Sequence, residues 1–360
     1  MSRLEPLLAH LGHQGASDLH LKPGSPPRLR VGGVLQPGDG DPLTAADVEA
    51  LAREVLDDVR WAELERGGQT SSGLSVPGLG RFRVAVHRQR GSLAIAVRRV
   101  PPEIPELAQL GLPPQVERLA DEPRGLLVVS GPPGAGKTTT VAAVLDRINR
   151  TRACHILTVE DPIEVLHADQ QAMVTQREVG LDADSYAQAV RGGLRADADV
   201  LFVGEVVDVE TARAVLTAAE VGHLVITTMR AAGAVDTVVR LLELFPPAEQ
   251  PAARQALVGV LRGIISQRLL ERADGTGRIA VAEVLVGTTK VVDCIAQGGP
   301  LDALEQVLRD GQYHGMQTLD QGLYDLVLDG RVSVRDALAA SAHAEDLRIA
   351  LGQAGLTTAP

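Results

Sequence analysis

The sequence predicts an α/β protein in two parts, a smaller N-terminal α+β domain over 1–100 and a larger domain over 115–360 built around a parallel sheet. Three observations lead there. Beyond residue 114, short continuous apolar stretches alternate with stretches of helical period, as in a parallel sheet covered on both faces. Before residue 100 the apolar residues alternate with polar ones, as half-buried strands require. Between them, 100–105 (VPPEIP) places three prolines in six residues, which stops helix and sheet alike and marks 101–114 as a linker.

In chain order, 4–11 carries leucines at helical spacing, and 17–21 then alternates like a strand. Two glycines at the centre of 28–35 (RLRVGGVL) are a hairpin signature. Helical spacing returns over 45–65, behind Thr44, whose hydroxyl suits an N-cap. Strands follow at 81–86 (RFRVAV) and 92–100 (SLAIAVRRV), with arginines on the face opposite the apolar residues. After Pro113 and Pro114 the expected order is strand 125–130, a glycine-rich turn, helix 138–149, strand 155–159, strand 200–203, helix 209–220 and strand 224–228. From about 247 onward the chain reads mostly as helix, with a strand at 278–284; the stretch 257–270 reads as a helix apolar on one face.

Apolar residues make up 45% of the 360 and charged ones 22%, which suits a soluble globular chain of two ordinary domains. Aromatics are only 2%, so aliphatic side chains must fill the core. A net charge of −11 without a basic block gives no footprint for nucleic acid. Cys154 and Cys294 supply neither a CxxC pair nor a disulfide framework, and His20 and His223 read as hydrogen-bonded structural residues rather than metal ligands. Residues 1–21 lack the basic-then-apolar order of a signal peptide, and no apolar run approaches the roughly 20 residues that span a bilayer. The expectation is a cytoplasmic or peripheral chain.

The strongest local signal is GPPGAGKT at 131–138, a match to G-x-x-x-x-G-K-[ST] between an apolar strand and a helix. Gly131, Pro132, Pro133, Gly134, Ala135 and Gly136 form the loop whose backbone N–H groups can turn onto a phosphate at the positive end of a helix. Lys137 reaches the β and γ oxygens of ATP, Thr138 offers a hydroxyl to Mg²⁺, and Thr139 continues the helix start.

Such a loop needs carboxylates at neighbouring strand ends. LTVEDP at 157–162 ends a strand in Glu160 and Asp161, with Glu164 in the following turn. DVLFVGE at 199–205 is an apolar strand ending in Glu205, the form of a Walker B segment, and Glu205 is the candidate base or water-positioning group. Thr138, Glu160 and Glu205 are the candidate Mg²⁺ partners, largely through water.

At this point the residues resemble the secretion and pilus ATPases, and most closely the PilT family of type IV pilus retraction (twitching motility) ATPases. LTVEDPIEVLH at 157–167 resembles the family's Asp box, and QREVG (176–180), GLRADADVLFVGE (193–205) and LTAAEVGHL (216–224) follow in its order. ASDLHL (16–21), GRFRV (80–84), ISQRLL (265–270) and GMQTLD (315–320) extend the match over nearly the whole chain. The resemblance implies a PAS-like N-terminal domain, a RecA-like ATPase core, and a homo-hexamer that drives pilus retraction from the inner face of the cell membrane. It implies a pilus inner-membrane platform protein and a paralogous retraction ATPase as partners. It also places Arg81, Arg83 and Arg98 where the N-terminal domain reaches toward the nucleotide; the other reading of these arginines is a solvated strand face or ring-forming ion pairs.

Three positions depart from the family. Its His box ends in a second histidine where GHLVITTMRA has Arg230, while His223 remains. GEVVD places Val207 where the family carries arginine, and Ala196 stands between Arg195 and Asp197 in place of glutamate. Arginine keeps a positive donor there but does not exchange protons. Arg230 and Val207 support an alternative, a non-hydrolysing or weakly active ATP-binding paralogue that joins or regulates a ring.

Overall fold

Alternation before residue 100 becomes a twisted antiparallel sheet, and the apolar runs beyond it become a mostly parallel one. The structure is a computed structural model and describes residues 3–100, 103–298 and 301–356, so Pro101 and Pro102 of the expected linker lie outside the described residues. Contacts divide the chain into two units. One gathers 1–104 with two later segments, 160–167 and 176–185; the other gathers 105–159, 168–175 and 186–360.

In the first unit α1 (Glu5–His13) precedes β1 (Asp18–Leu21), β2 (Arg28–Val31) and β3 (Val34–Pro37). Then come α2 (Ala45–Val55), α3 (Asp58–Gly67), β4 (Gln69–Val76), β5 (Gly80–Gln89) and β6 (Ser92–Arg99). The six strands run in the order β3-β2-β1-β6-β5-β4, every neighbour antiparallel. The hairpin expected at 28–35 is present, with Val31 opposite Val34. Leu8, Leu11, Leu19, Val48, Leu64, Phe82, Val84 and Ile95 fill the core on one face of this sheet. That leaves Arg81 and Arg83 on the other face of β5, as alternation demands. The single helix expected over 45–65 is corrected to two. Leu56 adopts extended geometry, and Asp57 caps a new helix by accepting from the Arg60 N–H, so apolar spacing ran on across a break.

In the second unit α4 (Gln115–Ala120) and β7 (Gly125–Ser130) lead into α5 (Lys137–Thr151), β8 (His155–Glu160) and β9 (Met173–Glu178), although Glu160 and 176–178 at the ends of these two strands count with the first unit. Next are α6 (Tyr186–Gly193), β10 (Val200–Val203), α7 (Val209–Glu220), β11 (Leu224–Met229), α8 (Ala234–Glu243) and α9 (Gln250–Val260). β12 (Leu261–Glu271) and β13 (Arg278–Val286) follow, then helices α10 (Thr289–Gln297), α11 (Leu301–Asp310), α12 (Leu319–Leu328), α13 (Val334–Ala340) and α14 (Ala344–Gln353). The seven-stranded sheet has the order β13-β12-β7-β11-β10-β8-β9. β8, β10, β11, β7 and β12 are parallel, and β13 closes one edge antiparallel to β12. This is the RecA-like α/β arrangement, preceded by the N-terminal α+β part.

β12 corrects the expected helix over 257–270. Only its start, up to Val260, belongs to α9. The remainder lies between β7 and β13, with Ile264, Ile265 and Ser266 buried. A strand covered on both faces loses its alternation, so its apolar run imitates a helix face. No helix among the described residues is long and apolar enough to cross a membrane.

Candidate active site

β7 delivers the chain to the phosphate loop at the C-terminal edge of the sheet, where open α/β sheets bind ligands. A short turn closes the loop, the Ala135 N–H donating to the Pro132 carbonyl at 3.2 Å. Gly131 has φ +144°, and a β-carbon there would stand 2.4 Å from the Gln267 carbonyl oxygen. Gly136 caps α5 with φ +88°, so only a residue tolerant of left-handed geometry carries the chain into the helix. No side chain caps that helix, and its first turn holds no acid, which leaves its positive end to an anion. Lys137 Nζ donates back to the carbonyls of Gly131 and Pro132 at 2.9 and 3.1 Å. Pro132, Pro133, Gly134, Thr138 and Thr139 are exposed to solvent.

Gln267 on β12 buttresses this loop. Its Nε2 donates to the Ala135 carbonyl at 2.6 Å, and its Oε1 accepts from Thr140 Oγ1 at 2.8 Å. In the sequence this glutamine stands as one residue of ISQRLL, with no role attached to it. The available signal was its polarity within an apolar run, because a glutamine 1% exposed must find partners for its amide.

β10 and β11 present Glu205 and Arg230 at the same edge of the sheet. Met229 pairs with Ser130, so Arg230 and Gly131 leave the sheet side by side. Thr228 fixes the neighbouring loop twice, its carbonyl accepting from the Val206 N–H at 3.0 Å and its Oγ1 donating to the Gly204 carbonyl at 2.5 Å. Between these anchors Glu205 extends to Arg230. Arg230 Nε lies 2.8 Å from Oε1 and Nη2 lies 3.2 Å from Oε2, a two-pronged ion pair. Val207 is exposed in the next turn, and Asp208 caps α7. His223 sits at the opposite edge, before β11, where Nδ1 is 3.0 Å from the Ala218 carbonyl oxygen.

The remaining candidates lie in the first unit. Glu160 accepts from Gln176 Nε2 at 3.1 Å and from the Glu164 N–H at 3.3 Å. Arg83 and Glu164, separate candidates in the sequence, meet at 2.7 Å. Arg81 binds Glu178 at 3.0 Å; Arg60 reaches the same carboxylate at 3.5 Å, and all three side chains are buried or nearly so. Arg98 is exposed and pairs with Asp18 at 2.8 Å. Burial pushes the Asp18 carboxyl up, but hydrogen bonds from Ser17 and Arg98 outweigh it and hold the group below the usual carboxylate range.

Among the described residues no group of three or more His, Cys, Asp and Glu side chains is placed to hold a metal ion. The exposed Thr138 hydroxyl in the first turn of α5 fits a Mg²⁺ ion bound as in nucleotide sites, through one hydroxyl, water and phosphate oxygens.

Residues 2–339 match the family described as type II/IV secretion system protein. The type IV pilus retraction ATPase PilT of Pseudomonas aeruginosa is 39% identical over 331 residues, 92% of this chain and 96% of that protein. The type IV pilus ATPase PilU of the same organism is 36% identical over 345 residues, 96% of this chain and 90% of that one. Among solved structures, that of the pilus retraction motor PilT with bound ADP is 41% identical and superimposes with a TM-score of 0.86, covering 96% of this chain and 98% of that one. With its glycine cradle, open helix end and Walker-type strand edge in the places that match, the chain belongs to the type II/IV secretion system protein family.

Proposed function

We propose that this chain is an ATP hydrolase that powers type IV pilus retraction, working as a cytoplasmic homo-hexamer against a pilus inner-membrane platform protein. The observation that carries the reading is the shared sheet edge: the phosphate loop, Glu205 and Arg230 leave adjacent strands together, in a chain 39% identical to a retraction ATPase. The loop from Gly131 to Gly136 and the N-terminus of α5 would hold the phosphates, and Lys137 would turn from its own loop carbonyls to the β and γ oxygens, with Thr139 at the start of the same helix. Thr138 and, through water, Glu160 and Glu205 are the residues that would hold Mg²⁺, which when bound would supply positive charge against the phosphates. Glu205 orients the attacking water and accepts its proton. Arg81, Arg83 and Arg98 are the cationic set of the first unit from which a charge-stabilising finger is drawn, with Glu164 holding Arg83 in reserve.

A second reading has one specific observation in its favour. Arg230 clamps Glu205 by both oxygens, which suits a weakly active ring partner of a paralogous retraction ATPase. Phosphate release by the purified chain, by Lys137→Ala and by Glu205→Gln, read beside size-exclusion chromatography with and without ATP, separates the two. The motor reading expects release that both substitutions cut about 10²-fold or more. A well-formed ring with no release in the wild type would establish the partner reading instead.

A further inference from the structure

We propose that Arg230 is a positioning residue that reads the terminal phosphate: it holds Glu205 while that phosphate is absent and exchanges it for the phosphate when ATP binds. This rests on the ATPase reading above and concerns the regulation of the same site.

Among the described residues, both hydrogen bonds of the Arg230 side chain go to Glu205. The backbone on each side is fixed, through Thr228 on one strand and the Gly204 and Val206 main chain on the other. The freedom that remains is in the two side chains. A carboxylate gripped on both oxygens has its plane set by the guanidinium, so Glu205 is aimed at Arg230 and not at a water beside the phosphate loop. The pair is also open to competition, because Arg230 is 67% exposed and a charge arriving from solvent can reach its guanidinium.

The competitor would arrive next door. Arg230 follows Met229, the residue paired with Ser130, and Gly131 follows Ser130. A guanidinium fork matches phosphate oxygens as well as carboxylate oxygens, and a terminal phosphate carries more charge. Moving the fork to the phosphate frees Glu205 in the state that has a bond to hydrolyse. A diphosphate lacks that group and leaves the pair closed. An imidazole at 230 presents no fork, so this exchange belongs to the arginine.

Equilibrium binding of a non-hydrolysable ATP analogue and of ADP, with Mg²⁺, tests the exchange without turnover. In Arg230→Ala the analogue should weaken about tenfold or more while ADP is unchanged, the loss expected of a charged hydrogen bond. Glu205→Gln removes the competitor and should raise the affinity for the analogue relative to that for ADP about twofold to fivefold, a ratio in which any shared loss through Mg²⁺ cancels. Arg230→Lys keeps the charge but not the fork, and should fall between wild type and alanine. Equal shifts for both nucleotides in Arg230→Ala, or an unchanged ratio of analogue to ADP affinity in Glu205→Gln, would overturn the exchange. Failure of the wild type to bind either nucleotide, with Lys137→Ala no different, would instead overturn the ATPase reading on which it rests.

Discussion

Arg230 grips Glu205 through two hydrogen bonds of 2.8 and 3.2 Å, at the strand ends from which the phosphate loop also departs. The position that departs from the family therefore acts on the position that most resembles a catalytic base. Replacing it with the histidine of the resembled His box, Arg230→His, removes the fork from the terminal phosphate while Glu205 is already free in the ATP-bound state. The KM for ATP should therefore rise about tenfold with kcat little changed. Steady-state phosphate release across an ATP titration measures both. A twofold to fivefold rise in kcat would mean that Arg230 still holds Glu205 when ATP is bound.

The loop glycines differ in what they tolerate. A β-carbon at Gly131 would lie 2.4 Å from the Gln267 carbonyl oxygen and 3.0 Å from the Ala135 β-carbon, whereas one at Gly134 meets nothing within 4 Å. Both have positive φ. Gly134→Ala should cost about 1–2 kcal/mol from backbone strain alone. Gly131→Ala should displace β12 from the loop and abolish nucleotide binding in a chain that still folds. Denaturant unfolding and nucleotide titration of the two variants, side by side, check the contrast.

Gln267 joins the Ala135 carbonyl to the Thr140 hydroxyl inside the protein. Gln267→Leu keeps the volume and leaves both groups without this partner, at a cost of about 1–3 kcal/mol each. The expected outcome is lower stability together with weaker nucleotide affinity. Lower stability with unchanged affinity would show that the loop holds its shape without the glutamine.

In the first unit, Glu178 is 3% exposed between Arg60 and Arg81, themselves 7% and 14% exposed. Removing its charge leaves two buried guanidinium groups with one fewer counter-charge. Glu178→Gln should destabilise that unit by about 3–5 kcal/mol. Glu164→Gln, at the half-exposed pair with Arg83, should cost no more than about 1 kcal/mol. Chemical denaturation of the two variants tests the ordering.

Burial pushes the Glu283 carboxyl above the usual glutamate range; hydrogen bonds from the Ala234 and Leu319 N–H groups oppose this, and Glu305 and Asp320 add to it. A raised folded value favours the protonated group. Its contribution is therefore full below the ordinary glutamate pKa and is lost as pH rises through the folded one. Glu283→Gln should then raise Tm at pH 7–8 and lose that advantage near pH 4. A relief of about 1 kcal/mol corresponds to about 2–4 °C. An advantage that persists unchanged at low pH would rule out the carboxyl as its source.

The phosphate loop, strands β7, β10 and β11, and the hairpin of β2 and β3 were legible because their signals are local. A glycine-rich turn must be glycine-rich to adopt its dihedral angles, and a buried parallel strand must be apolar along its length. Glu160 ends β8, Glu164 lies in the turn after it and Glu205 follows β10, the places that the local pattern gave them. Other features depend on which segments meet. β12 looked like a helix because burial on both faces erases the two-residue period, and only its seat between β7 and β13 identifies it. The break at Leu56 and Asp57 was hidden because apolar spacing continued across it. Arg83 and Glu164 were read as independent candidates, and their 81-residue separation gave no sign that they pair. The sequence by itself thus determined the glycine-rich turn between strand and helix, and the family whose motifs the chain carries in order. Only the tertiary structure decided that Arg230 holds Glu205, because parallel strand register brings together the ends of segments 25 residues apart, and no local pattern encodes that register.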